Sequence, residues 1–174
     1  MDRKIFDEIS LPIRFFRLPR YAQLPNFGLY LEQTTQYINQ CLQPLGFFEI
    51  TGSMIRNYVK MGLVKNPVQK RYDRDQISRL IAITLLKPVM SLENIQLMLR
   101  LQCDAYADET AYDYFAMELE NVLFYRFGIT ASLDKIGVTK SVEKEMARSA
   151  ITAISHMIYL NSCFGKLFDK DENE

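Results

Sequence analysis

Apolar residues return at three- and four-residue intervals along most of this chain, and the places where that rhythm breaks divide it into elements. From Tyr30 onward, Leu31, Thr34, Tyr37, Ile38, Cys41, Leu42 and Leu45 fall on one helical face, and Pro44 and Gly46 end the run. A shorter helix is predicted over Ile50 to Gly62. Ile55, Tyr58 and Val59 share its apolar face, Thr51 or Ser53 can cap its first amides, and Gly62 supplies a stop. Leu63 to Tyr72 then carries Asn66-Pro67 between two short stretches that can pair as a hairpin. Asp73 followed by Gln76 has the form of a capping box and opens a helix through Ile77, Leu80, Ile81, Thr84 and Leu85, which Pro88 terminates. Ser91 caps the next helix, through Leu92, Ile95, Met98 and Leu99.

The flanks read differently. Pro12, Pro19 and Pro25, set among Arg14, Arg17, Arg20 and aromatics, predict an extended arm packed onto the body. Residues 101–110 read as a linker or frayed turn, followed by a helix from Ala111 to Phe127 that Gly128 stops. A last helix is expected from about Ser141 to Phe164, stopped by Gly165. Its stripe of Val142, Met146, Ser149, Ala150, Ala153, Ile154, Met157, Ile158 and Asn161, with small residues that permit close approach, either folds back on the chain or pairs with a second copy; folding back is preferred, because no heptad coil follows Leu99. The final DKDENE is a solvated charge run, expected to be disordered. A helix, a turn, a second helix and a short basic hairpin is the layout of a winged helix-turn-helix. The expected fold class is therefore all-α with a small β wing: an N-terminal arm over 1–30, a winged helix-turn-helix over 31–101, and C-terminal helices with a short tail over 102–174.

Composition adds little until it is resolved by segment. The 174 residues hold 21 Lys+Arg and 21 Asp+Glu, which excludes a uniformly basic coat protein. Residues 52–100, however, contain nine bases (Arg56, Lys60, Lys65, Lys70, Arg71, Arg74, Arg79, Lys87, Arg100) against three acids, Asp73, Asp75 and Glu93. Residues 101–134 contain Arg126 alone against seven acids, Asp104, Asp108, Glu109, Asp113, Glu118, Glu120 and Asp134. A polyanion would meet the first segment and be repelled by the second. With no long apolar run, no apolar signal core in MDRKIFDEIS, and three widely separated cysteines (Cys41, Cys103, Cys163) read as buried thiols, a cytoplasmic protein without a membrane segment is expected. Catalysis has no visible basis: the one histidine, His156, sits in an apolar helical stretch and reads as a core or boundary residue, with no nucleophile motif beside it. No Gly-rich phosphate loop or metal-ligand spacing is present, so neither cofactor nor metal is expected.

Charge and layout together point to a surface for double-stranded DNA. Arg56 and Lys60 lie four apart and share a helical face. Lys70 and Arg71 stand where a wing would meet the adjacent phosphates, and Ser53 and Asn57 are small polar residues able to reach base edges from the start of the helix. Tyr58 has two readings, a hydroxyl donating to a phosphate or a ring packed in the core. Arg74 and Arg79 read as ordinary helix charges. The aromatic cluster of Tyr106, Tyr112, Tyr114, Phe115, Phe124, Tyr125 and Phe127 could line an effector pocket, although Phe115, Leu119 and Val122 at helical spacing favour core packing.

Motifs in one order carry a family resemblance. Met54 to Val64 (MIRNYVKMGLV) resembles the recognition helix and exit of MerR-type regulators, and Lys70-Arg71-Tyr72 resembles the end of their wing. Ile77 to Leu86 is similar to the helix that follows, and Ser91 to Ile95 (SLENI) resembles the opening of the fourth helix. The whole chain also resembles an uncharacterised bacterial family of MerR-like proteins of unknown function. Over residues 31–101 the resemblance implies phosphate contacts by Arg56, Tyr58 and Arg71, and a role as a sequence-specific DNA-binding transcriptional regulator, with a homodimer and a small-molecule effector as open partners. This sequence departs from the pattern in a short wing without glycine, in Asn57 where many relatives carry an aromatic, and in a longer turn from Pro44 to Thr51. The competing expectation is a protein-interaction module on a helix-turn-helix scaffold without DNA binding, in keeping with a pI near 6.6.

Overall fold

Ten of the thirteen residues of the helix Arg74–Leu86 are buried, and no single neighbour could cover them all. The computed structural model describes residues 3–137 and 141–171. They form α1 (Arg3–Arg14), β1 (Leu29–Tyr30), α2 (Leu31–Leu42), α3 (Gly52–Lys60), β2 (Arg71–Tyr72), α4 (Arg74–Leu86), α5 (Leu92–Ala105), α6 (Asp108–Arg126) and α7 (Val142–Asp171). The chain is thus mostly helical with one two-stranded antiparallel sheet, in which Leu29 pairs with Tyr72 and Tyr30 with Arg71. Apolar on nearly every side, α4 lies between α2 and the pair α6 and α7. One continuous core runs from Ile5 on α1 to Cys163 on α7.

The caps are where the sequence puts them. Thr51 accepts the Met54 N–H at 3.2 Å, Ser91 accepts that of Asn94 at 3.2 Å, and Asp73 and Gln76 bond reciprocally at 2.9 and 2.8 Å. The flanks differ from expectation. Residues 3–14 are helical because Ile5, Ile9 and Ile13 recur every fourth position and bury one face, mainly against α7. Pro12 falls in the last turn with its ring exposed, where it removes one backbone hydrogen bond close to the end of the helix. Only the stretch after Phe16 is the extended strap that was expected. Residues 101–105 belong to α5, so the boundary at 101/102 lies inside a helix and the break narrows to Tyr106 and Ala107. Gly165 does not stop α7, which continues to Asp171; the rest of the acidic tail, 172–174, lies outside the described residues. The hairpin predicted over 63–72 contracts to a single bridge, Val68 to Arg71, while β2 pairs with β1 rather than with the residues before it. As preferred, α7 folds back, against α6, α1, α5 and α4.

Three polar clamps hold segments that no ladder holds. Glu120, buried on α6, accepts two bonds from Arg20 at 2.8 Å and one from the Leu18 N–H at 2.9 Å, so both carboxylate oxygens are engaged by the strap. The same contact raises the Arg20 pKa, chiefly through its hydrogen bond to Glu120. Asn39 grips both the C=O and the N–H of Ile50, at 3.0 and 2.9 Å, and fixes the turn between α2 and α3. Asn121 does the same to Asp134, at 2.9 Å for both bonds, and fixes the loop after α6. Removing one member of a buried pair leaves the other desolvated and unmatched. Glu120→Ala is accordingly expected to lower stability by about 3 kcal/mol, at the low end for such pairs because Arg20 is partly exposed. Urea unfolding with an unchanged m-value is the measurement, and a loss below about 1 kcal/mol would show that the strap is held by its apolar residues instead.

Candidate nucleic-acid interface

The short helix α3 is positioned by what it lacks as much as by what it carries. A Cβ on Gly52 would come within 3.3 Å of Leu31, so glycine lets the start of α3 close on α2. With Leu45 and Phe48 buried in the core and Asn39 holding Ile50, the longer turn from Pro44 to Thr51 is anchored at both ends. Ile55 and Tyr58 then turn inward, and Ser53, Arg56, Asn57 and Lys60, at positions three and four apart, all lie exposed on the opposite face.

The chain leaves α3 through Gly62 at φ +76°, and Leu63 and Val64 dock in the core. Gln76 reaches back from α4 to hold the Lys65 carbonyl at 2.8 Å. At the tip of the turn, Gln69 and Lys70 both have positive φ, 49° and 63°, between the bridged residues Val68 and Arg71. Two left-handed residues in succession are the geometry of the tight hairpin turn that usually takes Asn-Gly. Here two long polar side chains adopt it, and both are exposed.

Arg71 is held in place. Its guanidinium lies 4.8 Å from the centroid of the Tyr30 ring, donates to the Tyr30 hydroxyl at 3.2 Å and approaches the Phe27 carbonyl at 3.4 Å. Gly28, at φ +69°, permits this: a Cβ there would meet that of Arg71 at 3.1 Å. Burial raises the pKa of the neighbouring Tyr72, and the charge of Arg56 opposes that rise. Among the described residues none of Arg56, Lys60, Lys70 and Arg71 forms an ion pair. The other bases of the segment divide: Arg74 donates to the Leu24 and Ala22 carbonyls, and Arg79 pairs with Asp108 at 3.4 Å, both in intrachain roles.

Of the sequence-derived set, Tyr58 does not reach this surface. It is 1% exposed and its hydroxyl is buried without a hydrogen-bond partner, so the core reading holds and the phosphate reading does not. The residues that the sequence reading missed are Phe27, Tyr30 and Val68, exposed around Arg71. Their signal was absent from periodicity, since strands of two residues carry none.

Elsewhere the aromatic cluster splits. Tyr112, Phe115 and Phe127 are core, but Tyr106 and Tyr114 line a cavity of about 270 Å³ bounded by α5, α6 and α7. Met117, Ile136 and Ala147 complete its apolar wall, and the Lys144 ammonium lies 5.8 and 5.4 Å from the two ring centroids. His156 is exposed on α7 rather than a core or boundary residue. Cys103 is exposed too, and takes a 2.8 Å contact from Arg79, whereas Cys163 is buried and Cys41 half-buried. Among the described residues no cluster of His, Cys, Asp and Glu could hold a metal ion, and no helix is long and apolar enough to cross a membrane.

Residues 19–115 match the family described as Domain of unknown function (DUF1836), and since the match covers more than half of the chain, the chain belongs to that family. No curated protein and no solved structure matches it.

Tyr58→Phe isolates the buried hydroxyl. Removing a polar atom that has no partner should leave stability unchanged or raise it by about 1 kcal/mol in urea unfolding. A loss of more than about 1 kcal/mol would mean that the hydroxyl is bonded in solution.

Proposed function

We propose that this chain is a sequence-specific DNA-binding transcriptional regulator of MerR-like type, in which α2 and α3 act as a helix-turn-helix and the Val68–Arg71 turn with its β1 partner acts as the wing. What carries the reading is that Ser53, Arg56, Asn57 and Lys60 share one exposed face of α3, that Lys70 and Arg71 are exposed on the turn that follows, and that no acid is paired to any of the four cations among the described residues. A duplex supplies what such a surface lacks. With α3 in the major groove, Asn57 can pair with the N6/N7 edge of an adenine and Ser53 can bond to either base of a pair. Arg56 and Lys60 neutralise phosphates along the groove, and Lys70 and Arg71 do so at its flank. The stack on Tyr30 holds the Arg71 guanidinium in one orientation before binding, which lowers the ordering cost of that contact. The cavity beside Tyr106 and Tyr114 is where a small-molecule effector would be received.

A second reading, a protein-interaction module on the same scaffold without DNA binding, is favoured by Phe27 and Val68, which are 70% and 73% exposed on the same side and have no phosphate to neutralise.

Gel shifts on random genomic fragments at low and moderate salt separate the two. DNA binding predicts salt-sensitive shifting whose log–log slope is about −4, from four phosphate contacts at roughly −0.9 each. No shift at low salt supports the interaction module. Arg56→Ala should weaken binding to every sequence alike and flatten the slope by about one; unchanged binding, or a loss confined to one sequence, would remove Arg56 from the phosphate contacts.

A further inference from the structure

Three bases that the DNA-binding reading does not use meet in one cleft. Lys65 follows the exit of α3, Arg79 stands on α4 and Arg100 on α5, yet all three line a cleft of about 480 Å³ bounded by these elements and the start of α6. The exit of α3 is held against its neighbours there: Gln76 grips the Lys65 carbonyl at 2.8 Å, and Gln96, which also lines the cleft, donates to the Met61 carbonyl at 3.4 Å. Little of the charge is answered within the chain. Among the described residues Lys65 and Arg100 form no ion pair, and both are exposed. Arg79 is only 24% exposed along its side chain, and both of its contacts use Nη2. One is to the Cys103 sulfur at 2.8 Å, a weak acceptor, and the other to Asp108 at 3.4 Å, beyond the usual hydrogen-bond distance. Its Nη1 and Nε meet no acceptor among the described residues. A half-buried guanidinium with donors to spare is the fork that takes an oxyanion through two parallel bonds.

We infer that this cleft is a binding site for a small organic phosphomonoester. Charge selects the class. Three cations less the one acid in the lining, Asp108, leave two positive charges, and a phosphomonoester brings about 1.5 to 2 negative ones at pH 7. A single carboxylate would leave one cation unmatched. The walls select an ester over inorganic phosphate. Leu63 and Leu99, 2% and 8% exposed, and the half-buried Tyr106 ring give an apolar side against which a small carbon skeleton can pack. A duplex fits less well. Asp104 and Glu109, exposed and next in sequence to the lining residues Cys103 and Asp108, add negative charge at that end of the cleft, and a polyanion would have to lie across it. Tyr106 also lines the apolar cavity between α5, α6 and α7, but none of the three bases does, so the two places are distinct. The inference does not depend on DNA binding.

Isothermal titration calorimetry of the full chain at fixed ionic strength tests it, with phenyl phosphate as the phosphomonoester and benzoate as a monoanion of similar size. Phenyl phosphate should bind with a Kd of about 100 μM or tighter, and benzoate at least about tenfold more weakly. The double variant Lys65→Gln/Arg100→Gln should weaken phenyl phosphate at least about tenfold with an unchanged helical circular dichroism spectrum, since neither side chain is ion-paired among the described residues. Arg56→Ala, on the exposed face of α3, should leave this binding as it is. No binding of phenyl phosphate up to about 10 mM would overturn the inference. So would equal affinity for benzoate, or a loss caused by Arg56→Ala and not by the double variant. A gel-shift salt slope that flattens by about two in the double variant would overturn it in favour of the duplex backbone.

Discussion

The burial of α4 from both sides is the constraint on which the rest of the structure depends. A helix that is apolar from Ile77 to Leu86 on nearly all faces cannot be satisfied by α2 alone, nor by α6 and α7 alone. The N-terminal and C-terminal halves must close on it together, and they share one core as a result. The consequence for the exposed surface is direct. Gln76 in the first turn of α4 holds the Lys65 carbonyl, Tyr72 just before α4 lies within electrostatic reach of Arg56, and Arg74 pins the strap at Leu24. The position of the turn relative to α3 is thus set from the core outward, by the same helix that α6 and α7 enclose.

That enclosure also redistributes charge. By sequence the segment 101–134 is strongly acidic, but Glu118 and Glu120 are buried and paired with Arg148 and Arg20, Asp108 pairs with Arg79, and Asp113 accepts the Tyr21 N–H at 2.7 Å. Four of the seven acids are thereby engaged within the chain. Buried pairs of this kind contribute little net stability against apolar replacements, yet they are costly to break and so fix which strap meets which helix. Among the described residues, Arg56, Lys60, Lys70 and Arg71, on α3 and the following turn, are exposed cations that form no ion pair. A formally neutral protein therefore presents a locally basic surface, which the overall charge conceals.

How much of this could be read from the sequence depends on how local each cause is. Thr51, Ser91 and the Asp73–Gln76 box act within one turn of helix, and their caps were legible residue by residue. So was the common face of Ser53, Arg56, Asn57 and Lys60, because it follows from helical geometry alone. What failed was decided at a distance. Pro12 argues against a helix locally, but burial of Ile5, Ile9 and Ile13 against α7 outweighs it. Residues 101–105 look like a linker until Tyr106 and Ala107 are seen to suffice for the break. The pairing of Leu29-Tyr30 with Arg71-Tyr72 joins segments about forty residues apart, and no pattern within either segment announces it. Tyr58 lies three residues from Ile55 and one from Val59, so its place on the buried side was legible; the family pattern drew it outward, and packing settles it inward.

The turn at Gln69 and Lys70 is where local preference and observed structure disagree most. Each residue holds a left-handed conformation that costs roughly 1–2 kcal/mol without glycine or asparagine to relieve it. Nothing in the core requires those two side chains, since both are exposed. A glycine at either position would give the same turn at lower cost but remove a long polar side chain from its tip. The turn without glycine, read from the sequence as a departure from the MerR-type pattern, is thus one in which strain is tolerated while reach is kept. Arg71 shows the complementary arrangement one residue later, with its charge held still by Tyr30 and its approach made possible by Gly28. Under the proposed function, the exposed Lys70 at the tip and the held Arg71 at the base would both be offered to phosphates, the second with less ordering left to do on binding.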